Sequence, residues 1–242
     1  MEPKIICLEI TMAFGQILNT VHPVLLLDGK NRVLVDCGFS GCLPLLEEQL
    51  EKHGLTPEEI TGLVLTHHDH DHMGAAAALK RINPGIRICA SPAETPWISG
   101  RETPLRLRQA CELQKHLSGP QREFGEAFCA MLERVEPVHV DCQLEDRTWL
   151  DWCGGCQVLN TPGHTRGHIS LYLEKQDVVI TGDAMALENG VPAVANFQFA
   201  QDPDQAGQSL QALLDLRARL YCCYHGGTYS PEAAAEAGGC PE

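Results

Sequence analysis

Four short apolar segments of this chain are each followed by a histidine or an aspartate. The segments are GLVLT (62–66), CQVLNT (156–161), DVVIT (177–181) and YCCY (221–224), and the residues that follow them include His67, His164, Asp183 and His225. Short apolar runs of this kind, rich in Val, Leu and Thr, are typical of buried strands. Polar residues just past strand ends commonly form sites. The pattern therefore predicts a sheet whose edge carries one converging site.

The remaining segments predict an α/β fold. Further strands are predicted at 4–10, 86–90, 138–141 and 168–173, and a hairpin at 23–38 around Asp28-Gly29-Lys30-Asn31. Helices are predicted at 43–54, directly after Gly74, at 203–220 and at the alanine-rich terminus, with a helical turn at 56–60. Antiparallel strands followed by strands alternating with helices indicate a sandwich with helices outside.

One segment departs from this alternation. Residues 91–135 carry many charges, four prolines and two helical patterns, at about 102–118 and 121–135. We interpret this segment as a helical insertion in a single domain that spans residues 1–242, and we expect it to shape a substrate pocket without contributing metal ligands.

Bulk properties exclude several classes of protein. The formal charge of −14 at pH 7 repels nucleic acid and anionic lipid, so we expect neither as a partner. The chain has no apolar run long enough to span a membrane and begins without a basic leader. Its twelve cysteines are then expected to be reduced thiols. These features predict a cytoplasmic protein with a small-molecule substrate; its oligomeric state is left open.

The stretch THHDHDHMG (66–74) packs four histidines and two aspartates into nine positions. In an extended segment alternate side chains face opposite sides, which groups His67, Asp69 and Asp71 and separates them from His68 and His70. His72 opens the following helix, so its side chain can turn back toward the first group. The predicted metal ligands are His67, Asp69, Asp71 and His72. Taken alone, the stretch is also compatible with a solvated polar loop.

The ordered motifs resemble the metallo-beta-lactamase superfamily. They are the cluster at 67–72, TPGHTRGH (161–168), TGD (181–183) and the late His225, with Asp36 in LVDCG matching the first acidic position. The resemblance implies an α/β fold, a four-layer αββα sandwich. One position departs from the family pattern, because Asp69 stands where a second histidine is usual. Thr66, Asp71-His72 and Gly74 fix the register, so we interpret H-x-D-x-D-H as a subgroup signature.

The resemblance also implies a dinuclear metal centre. His67, Asp69 and His164 would hold one divalent ion, Asp71, His72 and His225 the other, and Asp183 would bridge them. Imidazole and carboxylate suit zinc, iron and manganese. Two such ions acidify a shared water and polarise a carbonyl beside it, and Asp71 would act catalytically by orienting or deprotonating that nucleophile.

Two functions are compatible with this centre. The leading hypothesis is a metal-dependent hydrolase of a small ester, thioester or lactone, closest to the glyoxalase II and lactonase branches. The alternative is a di-iron redox protein related to the flavodiiron core, which carries a carboxylate at the position of Asp69. That alternative is less favoured because this sequence ends soon after His225, without a flavodoxin domain.

Several other residues receive supporting or structural interpretations. We expect His168 and Asp36 to support the ligands and not to bind metal. Cys153 and Cys156 form a C-x-x-C pair, but the adjacent Cys222 and Cys223 do not complete a zinc site of ordinary spacing. Phe197 and Phe199 are compatible with either a pocket or a core position.

Overall fold

The computed structural model describes residues 2–15 and 17–238, and two six-stranded sheets dominate it. In chain order the strands of the first part are β1 (Lys4–Cys7), β2 (Ile10–Phe14), β3 (Ile17–Val21), β4 (Val24–Leu27), β5 (Arg32–Val35), β6 (Gly62–Leu65), β7 (Arg87–Ala90) and β8 (Cys142–Gln143). The first sheet has the order β1-β4-β5-β6-β7-β8, whereas β2 and β3 form a separate antiparallel hairpin.

The second sheet is built from the strands that follow. These are β9 (Trp149–Leu150), β10 (Cys156–Asn160), β11 (Ile169–Leu173), β12 (Val178–Gly182), β13 (Ala186–Glu188), β14 (Val191–Ala193), β15 (Leu220–Cys223) and β16 (Gly227–Tyr229). Its order is β16-β15-β12-β11-β10-β9, and β13 pairs only with β14. Each large sheet is thus formed by one continuous part of the chain.

Helices cover the outer faces of the sheets and connect the strands. They are α1 (Leu43–Glu51), α2 (His70–Met73), α3 (Ala76–Ile82), α4 (Thr95–Ile98), α5 (Leu105–Gln114), α6 (Gly119–Glu133), α7 (Pro203–Asp215) and α8 (Pro231–Gly238), with 3-10 turns at Pro57–Glu59 and Phe197–Phe199. Within residues 2–15 and 17–238, none of these helices combines the length and the apolar composition that crossing a membrane requires.

Three apolar clusters define the layers of the sandwich. Between the sheets, side chains such as Val35 and Val64 pack with Leu171 and Ile180 from the opposite sheet. A second cluster joins the outer face of the first sheet to α1 and α3. The third joins the outer face of the second sheet to α7, with Leu213 in contact. The order helix, sheet, sheet, helix confirms the predicted four-layer αββα architecture.

The hairpin at 23–38 forms as its turn sequence predicts. Asp28 Oδ1 accepts hydrogen bonds from the backbone N–H groups of Lys30 and Asn31, both at 2.8 Å, and β4 pairs antiparallel with β5. Asp28 Oδ2 also accepts a bond of 2.8 Å from the N–H of Cys153, which precedes β10. This one carboxylate therefore shapes a turn in the first sheet and ties it to the second.

The C-x-x-C motif has a structural explanation. Cys153, Gly154 and Gly155 all have positive φ, at 50°, 82° and 135°, so the motif forms a tight turn into β10. A side chain at position 155 would collide with the ring of Trp149. Burial raises the pKa of the Cys153 thiol to about 11 and that of Cys156 to about 12, which keeps both thiols protonated and unreactive.

Several element boundaries differ from those predicted. The strand predicted at 4–10 ends at Cys7, and the chain then forms the β2–β3 hairpin, which was not predicted. The strand predicted at 138–141 is replaced by β8 at Cys142–Gln143. The helix predicted at 203–220 ends at Asp215 because Arg217 adopts a left-handed conformation, with φ of 52°. Between β7 and β8 the chain forms α4, α5 and α6, within the predicted helical segment 91–135.

Candidate metal centre

The structure brings all seven predicted ligands together at one end of the two sheets. The loop after β6 supplies His67, Asp69, Asp71 and His72, whereas the loops after β10, β12 and β15 supply His164, Asp183 and His225. Three groups offer ligand atoms that all lie within 4.8 Å of one another: His67, Asp69 and His164; His67, His72 and Asp183; and Asp71, His72 and His225. The groups overlap, so they form one continuous cluster.

Asp183 lies between the two halves of this cluster. Its Oδ2 is 3.4 Å from His164 Nε2. Its Oδ1 is 3.1 Å from His72 Nε2 and 3.4 Å from His225 Nε2. The two oxygens of one carboxylate therefore face different ligand groups, which is the arrangement that a bridging ligand requires.

The loop after β6 reaches this geometry differently from the expected extended segment. The backbone bends at Thr66 and His67, just past β6, and α2 begins at His70, with the extended Asp69 in its N-cap position at φ of −69° and ψ of 150°. The expectation that 67–71 is extended was therefore wrong, because the helix starts inside the motif. The helical turn carries Asp71 and His72 to the cluster and directs His70 toward Phe39 and Phe128.

Asp36 holds one wall of the cluster in place. Its Oδ2 is 2.8 Å from His72 Nδ1 and accepts a hydrogen bond of 2.8 Å from Thr66 Oγ1. Thr66 Oγ1 is also 3.0 Å from Nδ1 of His67. These contacts engage the Nδ1 atoms of His67 and His72 and leave their Nε2 atoms directed into the cluster. Asp36 thus supports the ligands, as its position in the sequence indicates.

Unpartnered atoms test whether the cluster fits metal ions. Among the described residues, buried Nε2 atoms of His67, His72 and His225, and Oδ1 of Asp183, have no hydrogen-bond partner. Buried polar atoms ordinarily find a partner, because an unsatisfied one costs free energy. Neutral imidazole nitrogens and carboxylate oxygens that converge without partners are the donor set that zinc, iron and manganese bind. The residues present therefore fit the predicted centre.

His168 supports Asp183 through the backbone. Its Nε2 accepts a hydrogen bond of 2.9 Å from the N–H of Asp183, and its Nδ1 is 2.8 Å from Thr161 Oγ1. Burial lowers the pKa of His168 well below its ordinary value, which agrees with a neutral ring that accepts at Nε2. Gly182, with φ of 52°, is required beside it, because a Cβ there would lie 2.6 Å from that same nitrogen.

The charges of the cluster stabilise one another. Burial alone would lower the pKa of His72, but Asp183, Asp36 and Asp71 raise it well above its ordinary value. Burial likewise opposes protonation of His225, yet Asp183 and Asp71 raise its pKa to about 10. Protons on the histidines thus balance the buried carboxylates. Since a histidine binds metal in its neutral form, loading the cluster with cations releases these protons.

An arginine that was not predicted from the sequence also lies at the cluster. Arg106, near the start of α5, donates a hydrogen bond of 2.6 Å from Nη2 to Oδ2 of Asp69, and its guanidinium stacks over the ring of Phe199 at 4.8 Å. Burial would raise the pKa of Asp69, but Arg106 holds it well below its usual range, with help from His164. The helical segment therefore contacts a predicted ligand directly. No motif marks Arg106 in the sequence.

A second missed residue explains the orientation of His68. The carboxylate of Glu94, fully buried, accepts hydrogen bonds from both the backbone N–H and the ring Nδ1 of His68. The His68 ring stacks on Trp97, with ring centroids 4.7 Å apart. Glu94 Oε1 also accepts a bond of 2.8 Å from the N–H of Gly167, near His164. His68 is thus held against α4 and away from the ligand groups.

Known sequences resemble this chain over most of its length. A hydroxyacylglutathione hydrolase of Shewanella baltica (strain OS185) is 30% identical over 182 residues, which are 73% of this chain and 51% of that protein. A probable metallo-hydrolase of Bacillus subtilis (strain 168) is 21% identical over 243 residues, covering 87% of this chain and 81% of the relative. The chain spans about half the length of the hydroxyacylglutathione hydrolases that it matches.

Solved structures share the fold, and a family sequence model matches the chain. A metallo-beta-lactamase family protein from Thermus thermophilus superposes with a TM-score of 0.72 and 26% identity, covering 96% of this chain and 77% of that one. A second structure, determined in a di-iron-bound form, superposes with a TM-score of 0.62 and 25% identity, covering 96% and 98%. The family model matches residues 19–225. Together with the αββα fold and the clustered ligands, this match establishes that the chain belongs to the metallo-beta-lactamase superfamily.

Proposed function

We propose that this chain is a metal-dependent hydrolase of small esters, thioesters or lactones that works with two divalent cations. The observation that carries the proposal is the position of Asp183. Its Oδ2 faces His164 of one ligand group, and its Oδ1 faces His72 and His225 of the other. A site for a single ion does not require a carboxylate whose two oxygens face two different ligand groups.

The ligand residues are assigned as follows. His67, Asp69 and His164 would hold one cation, and Asp71, His72 and His225 the other, with Asp183 shared. When bound, the two cations supply Lewis acidity, which polarises a carbonyl and lowers the pKa of a water beside it. A site of this kind suits acyl transfer to water better than chemistry that depends on a protein nucleophile.

Asp71 is the candidate catalytic residue. Its Oδ2 lies 3.3 Å from His225 Nε2, and its Oδ1 lies 3.4 Å from His70 Nδ1. His70, His72 and His225 together overcome the effect of burial and lower the pKa of Asp71, so this carboxylate is ionised at neutral pH. Oδ1, which does not face His225, would orient the attacking water and accept its proton.

A thioester is the favoured class of substrate. Relatives named hydroxyacylglutathione hydrolase align with 73% of the chain at about 30% identity, a name that describes removal of an acyl group from glutathione. A small-molecule substrate and a cytoplasmic location remain predictions from the sequence. The negative net charge supports the expectation that nucleic acid is not a substrate.

The test begins with metal analysis of the protein purified without added metal. We expect two ions of zinc, iron or manganese per chain. The protein is then assayed with a thioester, a lactone and a phosphodiester. Turnover of the thioester or the lactone that chelation abolishes and one of these metals restores is the expected result. A metal-loaded protein that cleaves only the phosphodiester would overturn the proposal.

A di-iron redox activity is the second candidate. Two observations favour it: Asp69 adds a third carboxylate to the ligand groups, and one similar structure is known in a di-iron-bound form. Carboxylate-rich sites favour harder ions such as iron and manganese. Oxygen uptake by the stoichiometrically reduced, iron-loaded protein distinguishes the two functions. Rapid uptake together with no hydrolysis of any acyl substrate would favour the redox activity.

A further inference from the structure

An open apolar groove lies beside the candidate metal centre. It has a volume of about 710 Å³ and runs between the β2–β3 hairpin and α6. Met12, Phe14 and Ile17 line the hairpin side, and Phe39 lies at the bottom. This volume falls within the range of small-molecule binding sites. The hairpin belongs to neither large sheet, and its Met12 and Phe14 are only partly buried where they pack against the outer apolar cluster.

The facing wall is one stripe of α6. Phe124, Ala127, Phe128 and Met131 follow the spacing that places side chains along a single helix face. Phe124 is 67% exposed, and Ile17 on the opposite wall is 60% exposed. Met131 lies seven positions after Phe124 in the helix, so the stripe is about 10 Å long. An exposed apolar patch with this depth and length is typical of a binding surface.

His70 connects the groove to the centre. Its ring lines the groove, with its centroid 5.9 Å from that of Phe39 and 6.1 Å from that of Phe128. Its Nδ1 lies 3.4 Å from Oδ1 of Asp71, the candidate catalytic carboxylate. The groove therefore comes within one side chain, that of His70, of the candidate catalytic carboxylate. A ligand lying in the groove would thus extend from Asp71 along α6.

We propose that this groove binds an unbranched aliphatic acyl chain of the substrate. This inference rests on the proposed function and specifies its substrate class as an ester or thioester of a medium-length fatty acid. Apart from Asn19, Ser40, His70 and Arg134, the side chains that line the groove offer methyl, methylene and aromatic groups, which favour apolar acyl groups over polar ones. Each additional buried methylene strengthens binding roughly threefold to fourfold.

A binding experiment on the metal-free protein tests the groove independently of catalysis. The probes are the thioethers S-decyl- and S-methyl-N-acetylcysteamine, which cannot be hydrolysed, and the measurement is isothermal titration calorimetry. We expect the decyl compound to bind at least about 100-fold more tightly than the methyl compound. Equal affinity of the wild-type chain for the two compounds would overturn the proposal.

Two variants of α6 localise the binding. Ala127→Trp places a large ring in the groove and is expected to weaken binding of the decyl compound at least tenfold. Glu123→Trp adds the same ring at an exposed position that does not line the groove, and it should bind the decyl compound like the wild type. Unchanged binding by Ala127→Trp, with a wild-type circular dichroism spectrum, would place the alkyl chain elsewhere and overturn the proposal.

The metal-loaded protein separates this inference from the proposed function. The wild-type protein is assayed with the decanoyl and acetyl thioesters of N-acetylcysteamine. If it hydrolyses both with equal kcat/KM, the proposed hydrolase activity is supported and the groove assignment is wrong. If neither thioester is hydrolysed but the decyl thioether binds with the expected sensitivity to Ala127→Trp, the groove assignment stands and the hydrolase fails. A wild-type dimer that excludes the decyl compound would assign the groove to a second copy of this chain and also overturn the proposal.

Discussion

Arg106 donates a hydrogen bond to Oδ2 of Asp69 across 2.6 Å, and this same oxygen lies 3.1 Å from Nε2 of His164. Asp69 is the residue at which this chain departs from the usual family motif. The departure adds a negative charge to the ligand groups, and Arg106 adds a positive charge beside it. Arg106 thus offsets the extra carboxylate. The pair Asp69 and Arg106 has the same net charge as a neutral histidine at position 69 with an uncharged residue at position 106.

Replacing Arg106 leaves the carboxylate of Asp69 buried without its counter-charge. We expect Arg106→Gln to lower the free energy of unfolding of the metal-free protein by about 1–3 kcal/mol. Urea denaturation measures this loss. Arg108→Gln changes an exposed arginine on the same helix and serves as the control, with an expected change within about 0.5 kcal/mol. Equal effects of the two variants would show that the Arg106–Asp69 contact contributes nothing.

The same pair makes Asp69→His a poor single substitution. With Arg106 retained, this substitution leaves the guanidinium beside an imidazole in place of its carboxylate partner. We therefore expect the free energy of unfolding to fall. Asp69→His combined with Arg106→Gln should recover a large part of that loss. A double-mutant cycle measures the coupling, expected at about 1–3 kcal/mol. Additive effects would mean that the two side chains act independently.

Asp69 and His68 should differ in their effect on metal content. Asp69→Ala removes an atom of one ligand group, so metal analysis should show loss of about one ion per chain. His68→Ala should retain the metal but lose about 3 kcal/mol of stability, because it removes the imidazole that pairs with the buried Glu94 carboxylate. The combination His68→Ala with Glu94→Gln should restore part of that stability. Metal loss caused by His68→Ala alone would reverse the assignment of the ligands.

Asp183→Asn should disrupt both ligand groups together. An amide offers one oxygen in place of two and removes the negative charge that faces His72, His164 and His225. We expect metal content to fall from two ions to below one, and turnover to fall at least about 100-fold. Glu188→Gln, at the exposed end of β13, removes the same charge elsewhere and should change neither quantity. Two tightly held ions in Asp183→Asn would exclude a bridging role.

Asp28 makes stability depend on pH. Burial raises the pKa of this carboxyl, but hydrogen bonds from Asn31, Lys30 and Cys153 outweigh it and lower the pKa to about 2. A depressed pKa contributes stability above the unfolded value near 4, and this contribution is lost as the pH falls toward 2. Because solvent screens part of the effect, Asp28→Asn should cost about 1–2 kcal/mol at pH 7 and much less at pH 2.5.

The measurement for Asp28 is urea denaturation of wild type and variant at several pH values. Asp151→Asn changes an exposed carboxylate whose side chain makes no hydrogen bond within the described part of the chain. It is the matched control, and its free energy of unfolding should equal that of the wild type at each pH. A difference between wild type and Asp28→Asn that stays constant from pH 7 to pH 2.5 would show that the charge of Asp28 is not what stabilises the turn.

The ligand positions could be predicted because their information is local. Each ligand segment follows an apolar strand, and the alternation expected past β6 agrees with the structure in placing His67 and Asp69 in the cluster and His68 against α4. Arg106 and Glu94 could not be predicted in this way. They reach the centre only because α4 and α5 pack against the loop after β6, a long-range contact that no short motif encodes. The sequence therefore predicted the residues that cluster and two that support them, Asp36 and His168, but not Arg106 and Glu94.

The fold shows the same division. The hairpin around Asp28 has a strong turn sequence and was predicted, whereas the β2–β3 hairpin was not. Burial does not alternate along β3, since Ile17 and Leu18 are both exposed. Ile10 and Val21 pack in the outer core, whereas Ile17 at the far end of the hairpin is exposed and lines the groove, so the usual relation between apolar pattern and burial fails at that end. The start of α2 inside the ligand motif was also not predicted. This helix is a single turn made mostly of histidine and aspartate, so it has no apolar spacing that would indicate a helix.

Since each large sheet comes from one continuous part of the chain, the protein can be divided at the junction of its two halves. β8 ends at Gln143 and β9 begins at Trp149, and Glu145 and Asp146 between them are exposed. Fragments 1–145 and 146–242 would meet through the apolar layer between the sheets, with four ligands on one fragment and three on the other. Fragment complementation should therefore respond to metal: added zinc or manganese tightens the association of the two pieces by linkage, and Asp183→Asn in the second piece weakens that response.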